Sequence, residues 1–114
     1  MKVLVAEDEP SIRGFVAEVL RTVGCEVVEA SNGLEAVELL STREFDLVVS
    51  DNTMPGLSGL ELLSWLVSEY RSERFVLMTG DPDEQVERIC GLYKAKVLPK
   101  PFAVADLRSL VTGG

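Results

Sequence analysis

The chain contains no histidine and only two cysteines, Cys25 and Cys90, among its 114 residues. The cysteines have neither the close spacing of a metal-ligand pair nor that of a redox motif. Without imidazole ligands, a zinc or iron site is hard to build from this sequence. We therefore predict that both cysteines are small, buried or half-buried hydrophobic side chains, with an incidental reactive thiol as the alternative.

Long apolar runs and an excess of positive charge are also missing. Residues 1–6 are mostly apolar, but three acidic residues follow at once, so we expect neither a signal peptide nor a membrane span. The 11 basic and 19 acidic residues give a formal net charge of −8. This charge disfavours direct binding to nucleic acid or to an anionic membrane surface. We expect a cytoplasmic protein whose partners carry basic surfaces.

The composition and length indicate one folded unit. The hydrophobic content of 46% is ordinary for a globular domain and too high for a disordered segment. Domains commonly contain about 100 to 150 residues, so the chain has little room for a second one. We predict a single domain over residues 1–114, in which 112–114 form a tail or the start of a linker.

Five short β-rich runs alternate with five amphipathic runs along the chain. This order is typical of βα units and predicts a parallel sheet. The first, third and fourth β-rich runs are almost continuously apolar, as expected for strands covered on both faces, so we place them in the centre. The predicted strands span residues 2–6, 26–29, 46–50, 75–78 and 96–98.

The amphipathic runs predict helices that pack one apolar stripe against the sheet. The first predicted helix begins at Pro10 and is ended by Gly24. The other four span residues 33–40, 58–70, 82–91 and 103–111. The inward stripe of the first helix is predicted to contain Ile12, Phe15, Val16, Val19, Leu20 and Val23. That of the third is predicted to contain Leu63, Leu66 or Val67, and Tyr70, with Leu62 and Trp65 at its flank. Partial burial and an exposed contact surface fit Trp65 equally well.

Polar side chains follow the predicted strands at the points where the strands end. Glu7 and Asp8 follow the first strand, Asp51 the third, Thr79 the fourth and Lys100 the fifth. The carboxyl ends of parallel strands meet at one edge of a doubly wound sheet, so these groups are expected to converge. Taken singly, the acidic pair could be a solvated turn, the threonine a strand-end cap and the lysine an ordinary surface residue.

Three clustered carboxylates raise one another's pKa, and a bound divalent cation relieves that repulsion. Oxygen ligands without histidine or cysteine indicate Mg²⁺, Mn²⁺ or Ca²⁺, and a site with few carboxylates suits Mg²⁺ best. A carboxylate can attack phosphorus when a metal ion and a lysine neutralise the transferring group. Asp51, placed between the other groups, is the candidate nucleophile.

Several short strings mark the ends of successive βα units. They are Val3-Leu4-Val5-Ala6-Glu7-Asp8-Glu9, Asp46-Leu47-Val48-Val49-Ser50-Asp51, Met54-Pro55-Gly56, Gly59-Leu60-Glu61-Leu62-Leu63, Met78-Thr79-Gly80 and Lys100-Pro101-Phe102. In order and spacing, the chain resembles the CheY-like receiver domain of two-component signalling over essentially its whole length. The resemblance implies an α/β fold with a doubly wound, five-stranded parallel sheet, flavodoxin-like (βα)5, in the strand order 2-1-3-4-5.

The resemblance also implies roles for the acidic residues. Asp51 would be the phosphorylation site and a ligand of Mg²⁺. Glu7 and Asp8 would be the acidic pair that holds the ion, with Glu7 acting through water. Thr53, two residues after the acceptor, would offer its backbone carbonyl to the metal.

The remaining roles concern the phosphoryl group and the signal it starts. Thr79 would donate a hydrogen bond to a phosphoryl oxygen, and Lys100 would pair with the phosphoryl group or, before transfer, with Asp51. The Lys100–Pro101 bond is expected to be cis. The family usually has an aromatic residue where this chain has Val97, so the usual aromatic switch is not expected here.

The leading interpretation is a phosphorylation-controlled binding module. A phosphohistidine of a sensor histidine kinase or phosphotransfer domain would phosphorylate Asp51, and the altered surface would bind a downstream effector protein or domain. The module would promote only its own phosphorylation and dephosphorylation, as a monomer or a weak phosphorylation-dependent dimer. The alternative is a receiver that binds partners without phosphate. Two other functions on the same fold are disfavoured. A phosphohydrolase would have a second acid where this chain has Thr53. A flavin carrier would have a loop rich in hydroxyl side chains where this chain has the acidic loop at Glu7.

Overall fold

The computed structural model describes residues 1–112, in which five strands alternate with five helices. The elements are β1 (Lys2–Ala6), α1 (Pro10–Thr22), β2 (Glu26–Ala30), α2 (Gly33–Thr42), β3 (Leu47–Asp51), α3 (Gly59–Ser68), β4 (Arg74–Thr79), α4 (Glu84–Leu92), β5 (Lys96–Pro99) and α5 (Val104–Thr112). Thr112, predicted to begin a tail, belongs to the last turn of α5. The other two residues of the predicted tail, 113 and 114, lie outside the described residues.

The five strands form one parallel sheet in the order β2-β1-β3-β4-β5. This is the doubly wound, flavodoxin-like arrangement that the sequence predicts. The three apolar strands β1, β3 and β4 occupy the centre, as expected. Because Ala6 pairs with Ser50 and Thr79 pairs with Pro99, the strands end close together at one edge of the sheet.

Helices cover both faces of the sheet, and alternate residues of each central strand enter two different cores. In β1, Val3 and Val5 pack with residues of α1 and α5, whereas Leu4 packs with residues of α2, α3 and α4. A side-chain period of two sends neighbouring residues to opposite faces, so a strand buried on both faces must be apolar throughout. None of the helices within residues 1–112 is long and apolar enough to cross a membrane.

Side-chain caps set where four of the helices begin, and at α1 the Glu9 carboxylate accepts from Ser11 N. Asn32 accepts a hydrogen bond from Glu35 N at the start of α2, and Ser58 forms a reciprocal capping box with Glu61 at the start of α3. Asp83 caps α4, which therefore begins at Glu84 and not at Pro82 as predicted. The start of α5 has no capping side chain, although Asp106 Oδ2 accepts from Ala103 N at 2.8 Å.

The apolar stripes of two helices are rotated from their predicted positions. On α1, Ala17 is fully buried while Phe15, predicted to face inward, is 43% exposed. On α3, Leu62 is fully buried although it was predicted at the flank. Tyr70, predicted to face inward, is 96% exposed because α3 ends at Ser68 and Tyr70 adopts a left-handed φ of 55°. The spacing of apolar residues predicts an apolar stripe on the helix, but tertiary packing decides which residues at the edges of that stripe are buried.

The structure also defines the environments of Trp65 and of the two cysteines. Trp65 is half-buried and packs against the core beneath α3, which favours partial burial over a fully exposed contact surface. Cys25 and Cys90 are both buried free thiols, as predicted. Burial, with a smaller contribution from the charge of Glu87, raises the pKa of the Cys90 thiol and so makes the reactive thiolate scarcer at neutral pH.

Candidate functional site

Three carboxylates meet at the carboxyl ends of β1 and β3. Glu7, Asp8 and Asp51 each place one carboxylate oxygen within 4.8 Å of the others. Glu7 is 1% exposed and Asp51 is 5% exposed, whereas Asp8 is exposed at the surface. The cluster is therefore a shallow acidic recess that a solvated cation or an oxyanion can reach from the Asp8 side.

Asp51 is the last residue of β3, where local contacts hold both its backbone and its side chain. The Ser50 hydroxyl donates to the carbonyl of Asp51 at 2.9 Å, and the amide of Thr53 donates to Asp51 Oδ2 at 3.1 Å. At Gly59, the first residue of α3, a Cβ atom would lie 2.5 Å from the Asp51 carbonyl oxygen. Only glycine lets α3 approach this closely, so the helix start buttresses the candidate nucleophile.

Lys100 reaches two of the carboxylates from the turn after β5. Its Nζ lies 2.6 Å from Asp51 Oδ1 and 3.1 Å from Glu7 Oε1. Its backbone amide donates to Thr79 O at 2.8 Å, and the Lys100–Pro101 peptide bond is cis, as expected. Burial alone would lower the pKa of Lys100, but the hydrogen bonds to Asp51 and Glu7 outweigh it and raise the pKa. The ammonium group therefore stays charged at neutral pH.

Glu7 is the most buried of the acidic groups. Its Oε2 accepts from the amide of Glu9 at 3.2 Å, and its Oε1 accepts from Lys100. Burial raises the pKa of Glu7, and the nearby negative charge of Asp51 raises it further, although the Glu9 amide and Lys100 pull it down. One ammonium group among three carboxylates leaves negative charge that the protein does not neutralise.

The two threonines named from the sequence lie beside Asp51 in different ways. Thr79 ends β4 and is buried, and its Oγ1 accepts a hydrogen bond from Asp81 N at 3.1 Å. A hydroxyl that accepts this bond keeps its own proton for donation to another oxygen. Thr53 is exposed and contacts Asp51 through its amide. The metal-binding role of the Thr53 carbonyl stays a prediction.

Two contributors to the site were missed in the sequence. Arg13 Nη1 donates to the backbone carbonyl of Glu7 at 2.9 Å, and Asn52 Oδ1 accepts from Leu60 N at 3.2 Å, which ties the loop after Asp51 to α3. Helical side chains lean toward the N-terminus, so an arginine at the fourth position of α1 can reach back over the preceding loop. The sequence indicates this reach, but it does not show that the contact forms.

An apolar cleft of about 390 Å³ adjoins the acidic recess, and Lys100 lines both of them. The exposed ring of Phe15 stacks on Phe102 with a centroid distance of 6.5 Å and an interplanar angle of 17°. Ile12 and Pro101 complete its lining. The cleft therefore places a partly exposed aromatic ring next to a polar site, where another molecule could dock.

The donor set fits a small hard cation. Several carboxylate oxygens are close together, and histidine is absent from the chain, so the residues suit Mg²⁺ better than a transition metal. The uncompensated negative charge around Glu7 is itself a reason for a divalent cation to bind here. Glu7, Asp8 and Asp51 are the residues that would hold it.

The fold and site together define an αβα sandwich of the doubly wound type, with an acidic, lysine-bridged recess at the carboxyl edge of its sheet. Residues 3–112 match the family model of the response regulator receiver domain. The chain therefore belongs to the response regulator receiver domain family of two-component signal transduction. Receiver domains are generally signalling switches, so membership supports a phospho-acceptor role.

Individual relatives agree with this assignment. The transcriptional regulatory protein PdtaR of Mycobacterium tuberculosis is 40% identical over 107 residues, which cover 93% of this chain and 52% of that protein. The response regulator receiver protein CpdR of Brucella abortus is 32% identical over 112 residues, covering 93% of this chain and 89% of that protein. The chain thus spans about half the length of PdtaR and most of CpdR.

A solved structure shows the same fold. The response regulator protein TrrA of Thermotoga maritima, solved in complex with Mg(2+)-BeF, superposes with a TM-score of 0.84 at 30% identity. The superposition covers 98% of this chain and 96% of that one.

Proposed function

We propose that this protein is a phospho-acceptor switch in which Asp51 receives a phosphoryl group from a phosphohistidine of a sensor kinase or phosphotransfer protein. The observation that carries the proposal is the contact of the Lys100 ammonium with Asp51 inside the acidic cluster. Mg²⁺ would be held by Glu7, Asp8 and Asp51, with the Thr53 carbonyl as a further ligand. The Mg(2+)-BeF complex of TrrA supports this choice of cation.

In the transfer, a carboxylate oxygen of Asp51 forms a bond to phosphorus as the bond from phosphorus to the imidazole nitrogen breaks. The nitrogen keeps the bonding electron pair. When held by Glu7, Asp8 and Asp51, Mg²⁺ would neutralise part of the negative charge on the transferring group. Lys100 supplies a second positive charge from the protein, and the Thr79 hydroxyl donates to a phosphoryl oxygen. Residues 1–112 would act as one receiver domain that promotes only its own phosphorylation and dephosphorylation.

The apolar cleft beside Lys100 is the surface on which we expect the phosphohistidine donor to dock. It adjoins the acceptor through Lys100, and its exposed Phe15 ring, stacked on the half-buried Phe102, offers apolar area that the acidic recess lacks. A donor that covers the cleft also shields the reacting phosphoryl group from water. The downstream effector would bind a different part of the surface, after transfer.

The route from Asp51 to that effector surface must differ from an aromatic switch, because residue 97 is a half-buried valine packed against the core under α4. We infer that the change begins at the hydrogen bond between Thr79 Oγ1 and Asp81 N, in the loop that leads into α4. Val97 is also the observation that favours the second candidate function, a receiver that binds its partner without phosphate.

Amide spectra distinguish the two functions. Beryllofluoride with Mg²⁺ mimics a phosphoryl group on a carboxylate, so we expect the resonances of Thr79, Asp81, Lys100 and the start of α4 to shift in the wild type. The same additions to Asp51→Asn should leave them in place. A wild-type spectrum that does not respond would contradict the switch and favour phosphate-independent binding.

A further inference from the structure

The guanidinium group of Arg13 connects the acidic loop after β1 with the edge strand β2. Its Nη1 donates to the backbone carbonyl of Glu7 at 2.9 Å, and its Nε lies 3.4 Å from Oε1 of Glu29. The side chain is 20% exposed, so water competes only in part for these contacts. Arg13 thereby ties a loop that carries two of the site's carboxylates to a strand that carries none.

The hydrogen bond from Arg13 to the Glu7 carbonyl fixes the backbone that leads into Asp8. The peptide unit between Glu7 and Asp8 is planar, so holding the Glu7 carbonyl also sets the direction in which the chain enters Asp8. The amide of Glu7 is already held by the carbonyl of Ala30 at 3.1 Å. Both backbone groups of Glu7 are therefore anchored, one to β2 directly and one through Arg13.

Glu29 gives Arg13 a fixed support. The Glu29 carboxylate also lies 3.3 Å from Arg21 Nη2, and the same nitrogen of Arg21 donates to Val27 O at 3.1 Å. Two arginines of α1 therefore hold one carboxylate of β2, but only Arg13 reaches the acidic loop. The planar, forked guanidinium can make both of its contacts at once, which a lysine ammonium does less well.

We propose that Arg13 is a positioning residue of the magnesium site, which orients the Glu7–Asp8 loop so that both carboxylates face Asp51. The proposal rests on the proposed function, because it assumes that these carboxylates bind Mg²⁺. It assigns Arg13 no contact with the ion or with the phosphoryl group. Outer partners of this kind commonly change metal affinity by about 10- to 100-fold when they are removed.

The sign of the effect separates positioning from simple electrostatics. Arg13 is a cation close to a cation-binding site, so its positive charge alone repels Mg²⁺. If charge were its only influence, removing Arg13 would tighten Mg²⁺ binding. If Arg13 positions the loop, removing it weakens Mg²⁺ binding despite the lost repulsion.

The test is a titration of the metal-free protein with Mg²⁺ alone, followed by the amide resonances of the acidic loop, together with thermal melts of each variant. Arg13→Met keeps an apolar stem but no donor, and Arg21→Met is the matched control on the same helix with the same acidic partner. We expect the dissociation constant for Mg²⁺ to rise about tenfold in Arg13→Met and to change less than twofold in Arg21→Met. Both variants should lose similar thermal stability, since each loses a contact with Glu29.

An unchanged or tighter Mg²⁺ affinity in Arg13→Met, or equal weakening in both variants, overturns the proposal. If Arg13→Met does not fold, Glu29→Gln takes its place. The neutral side chain holds Arg13 less firmly, so the dissociation constant for Mg²⁺ should rise about threefold. An unchanged dissociation constant in Glu29→Gln would contradict the proposal. A wild-type protein that shows no response to millimolar Mg²⁺ overturns the proposed function as well. If the wild type responds to Mg²⁺ and Arg13→Met binds Mg²⁺ with the same affinity, the role of Arg13 is overturned and the proposed function stands.

Discussion

At the scale of single residues, Asp51 is held by contacts that compensate its charge only in part. Lys100 contacts both Asp51 and Glu7, so one positive charge serves two buried carboxylates, and Asp8 adds a third nearby. The raised pKa of Glu7, due first to burial and then partly to Asp51, is a sign of this repulsion. One ammonium group therefore faces three carboxylates that repel one another in the metal-free protein.

Removing the charge of Asp51 should relieve this repulsion. We expect Asp51→Asn to raise the free energy of unfolding of the metal-free protein by on the order of 1 kcal/mol, because Lys100 can still pair with Glu7. Urea unfolding at pH 7 with a chelator present measures the change. Glu18→Gln, an exposed acid on α1, is the control and should alter stability by less than about 0.5 kcal/mol. A destabilised Asp51→Asn would mean that the Lys100 contact outweighs the repulsion.

The residues of the site were more predictable than their supports. Glu7, Asp8, Asp51, Thr79 and Lys100 could be placed at one edge because the topology of a parallel sheet brings its strand ends together. Arg13 could not be recognised in the same way, since an arginine on an amphipathic helix is usually a solvated residue. Its role depends on where Glu29 of β2 lies, which spacing along the chain does not specify.

At the scale of the elements, the connection between α3 and β4 closes the end of the sheet opposite the acidic site. Arg71 donates to Leu40 O at 2.6 Å and to Arg43 O at 3.1 Å, so it satisfies carbonyls at the end of α2. It also pairs with Glu73, whose side chain is 5% exposed. Burial alone would raise the pKa of Glu73, but the hydrogen bonds from Arg71 prevail and lower it.

This pair predicts a pH dependence of stability. A lowered pKa in the folded state means that Glu73 stabilises the protein above its ordinary pKa of 4.5, and that this contribution is lost as the pH falls through the folded value. We expect Glu73→Gln to cost about 2 kcal/mol near pH 7 and progressively less below pH 4.5. Denaturant unfolding of both proteins from pH 7 to pH 3 tests this. A difference that stays constant over that range would exclude the ionised pair as its source.

Helix α1 carries the surface on which the donor is expected to dock. Phe15→Ala should slow phosphoryl transfer from a phosphohistidine protein about tenfold, equivalent to ~1.4 kcal/mol, and leave phosphorylation by a small phosphodonor unchanged. Leu92→Ala changes an exposed leucine at the last residue of α4; it serves as the control and should change neither rate. Equal slowing with both kinds of donor would place Phe15 in the chemistry of the site, and no slowing would move the docking surface elsewhere.

The number, type and order of the helices and strands could be predicted from the sequence. The end of α3 and the edge of the buried stripe on α1 could not. The apolar continuity of β1, β3 and β4 was enough to place them in the centre of the sheet. The end of α3 was not predictable, because it depends on a left-handed turn at Tyr70 and on the amide of Arg71 donating to Leu66 O at 3.0 Å. Phe15 was assigned to the core for a similar reason, since helical spacing cannot tell which edge of a stripe its neighbours cover.

At the scale of the whole molecule, the fold separates the acceptor from the surfaces that would read its state. The acidic recess lies at the carboxyl edge of the sheet, while α4 and β5 extend from that edge along one side of the molecule. Phosphorylation of Asp51 replaces one carboxylate charge with about two phosphoryl charges, so it adds about one net negative charge to a chain that already carries −8. A partner with a basic surface would therefore be attracted more strongly after transfer, provided that it binds near the site.

The most direct test of the account is to locate the phosphoryl group chemically. The protein is incubated with a small acyl phosphate and Mg²⁺, reduced with borohydride to trap any aspartyl phosphate, digested and analysed by mass spectrometry. We predict a single modified residue, Asp51, with no modification in the presence of a chelator or in Asp51→Asn. A wild-type protein that stays unmodified under these conditions, or one that carries the phosphoryl group on another residue, would contradict the central claim.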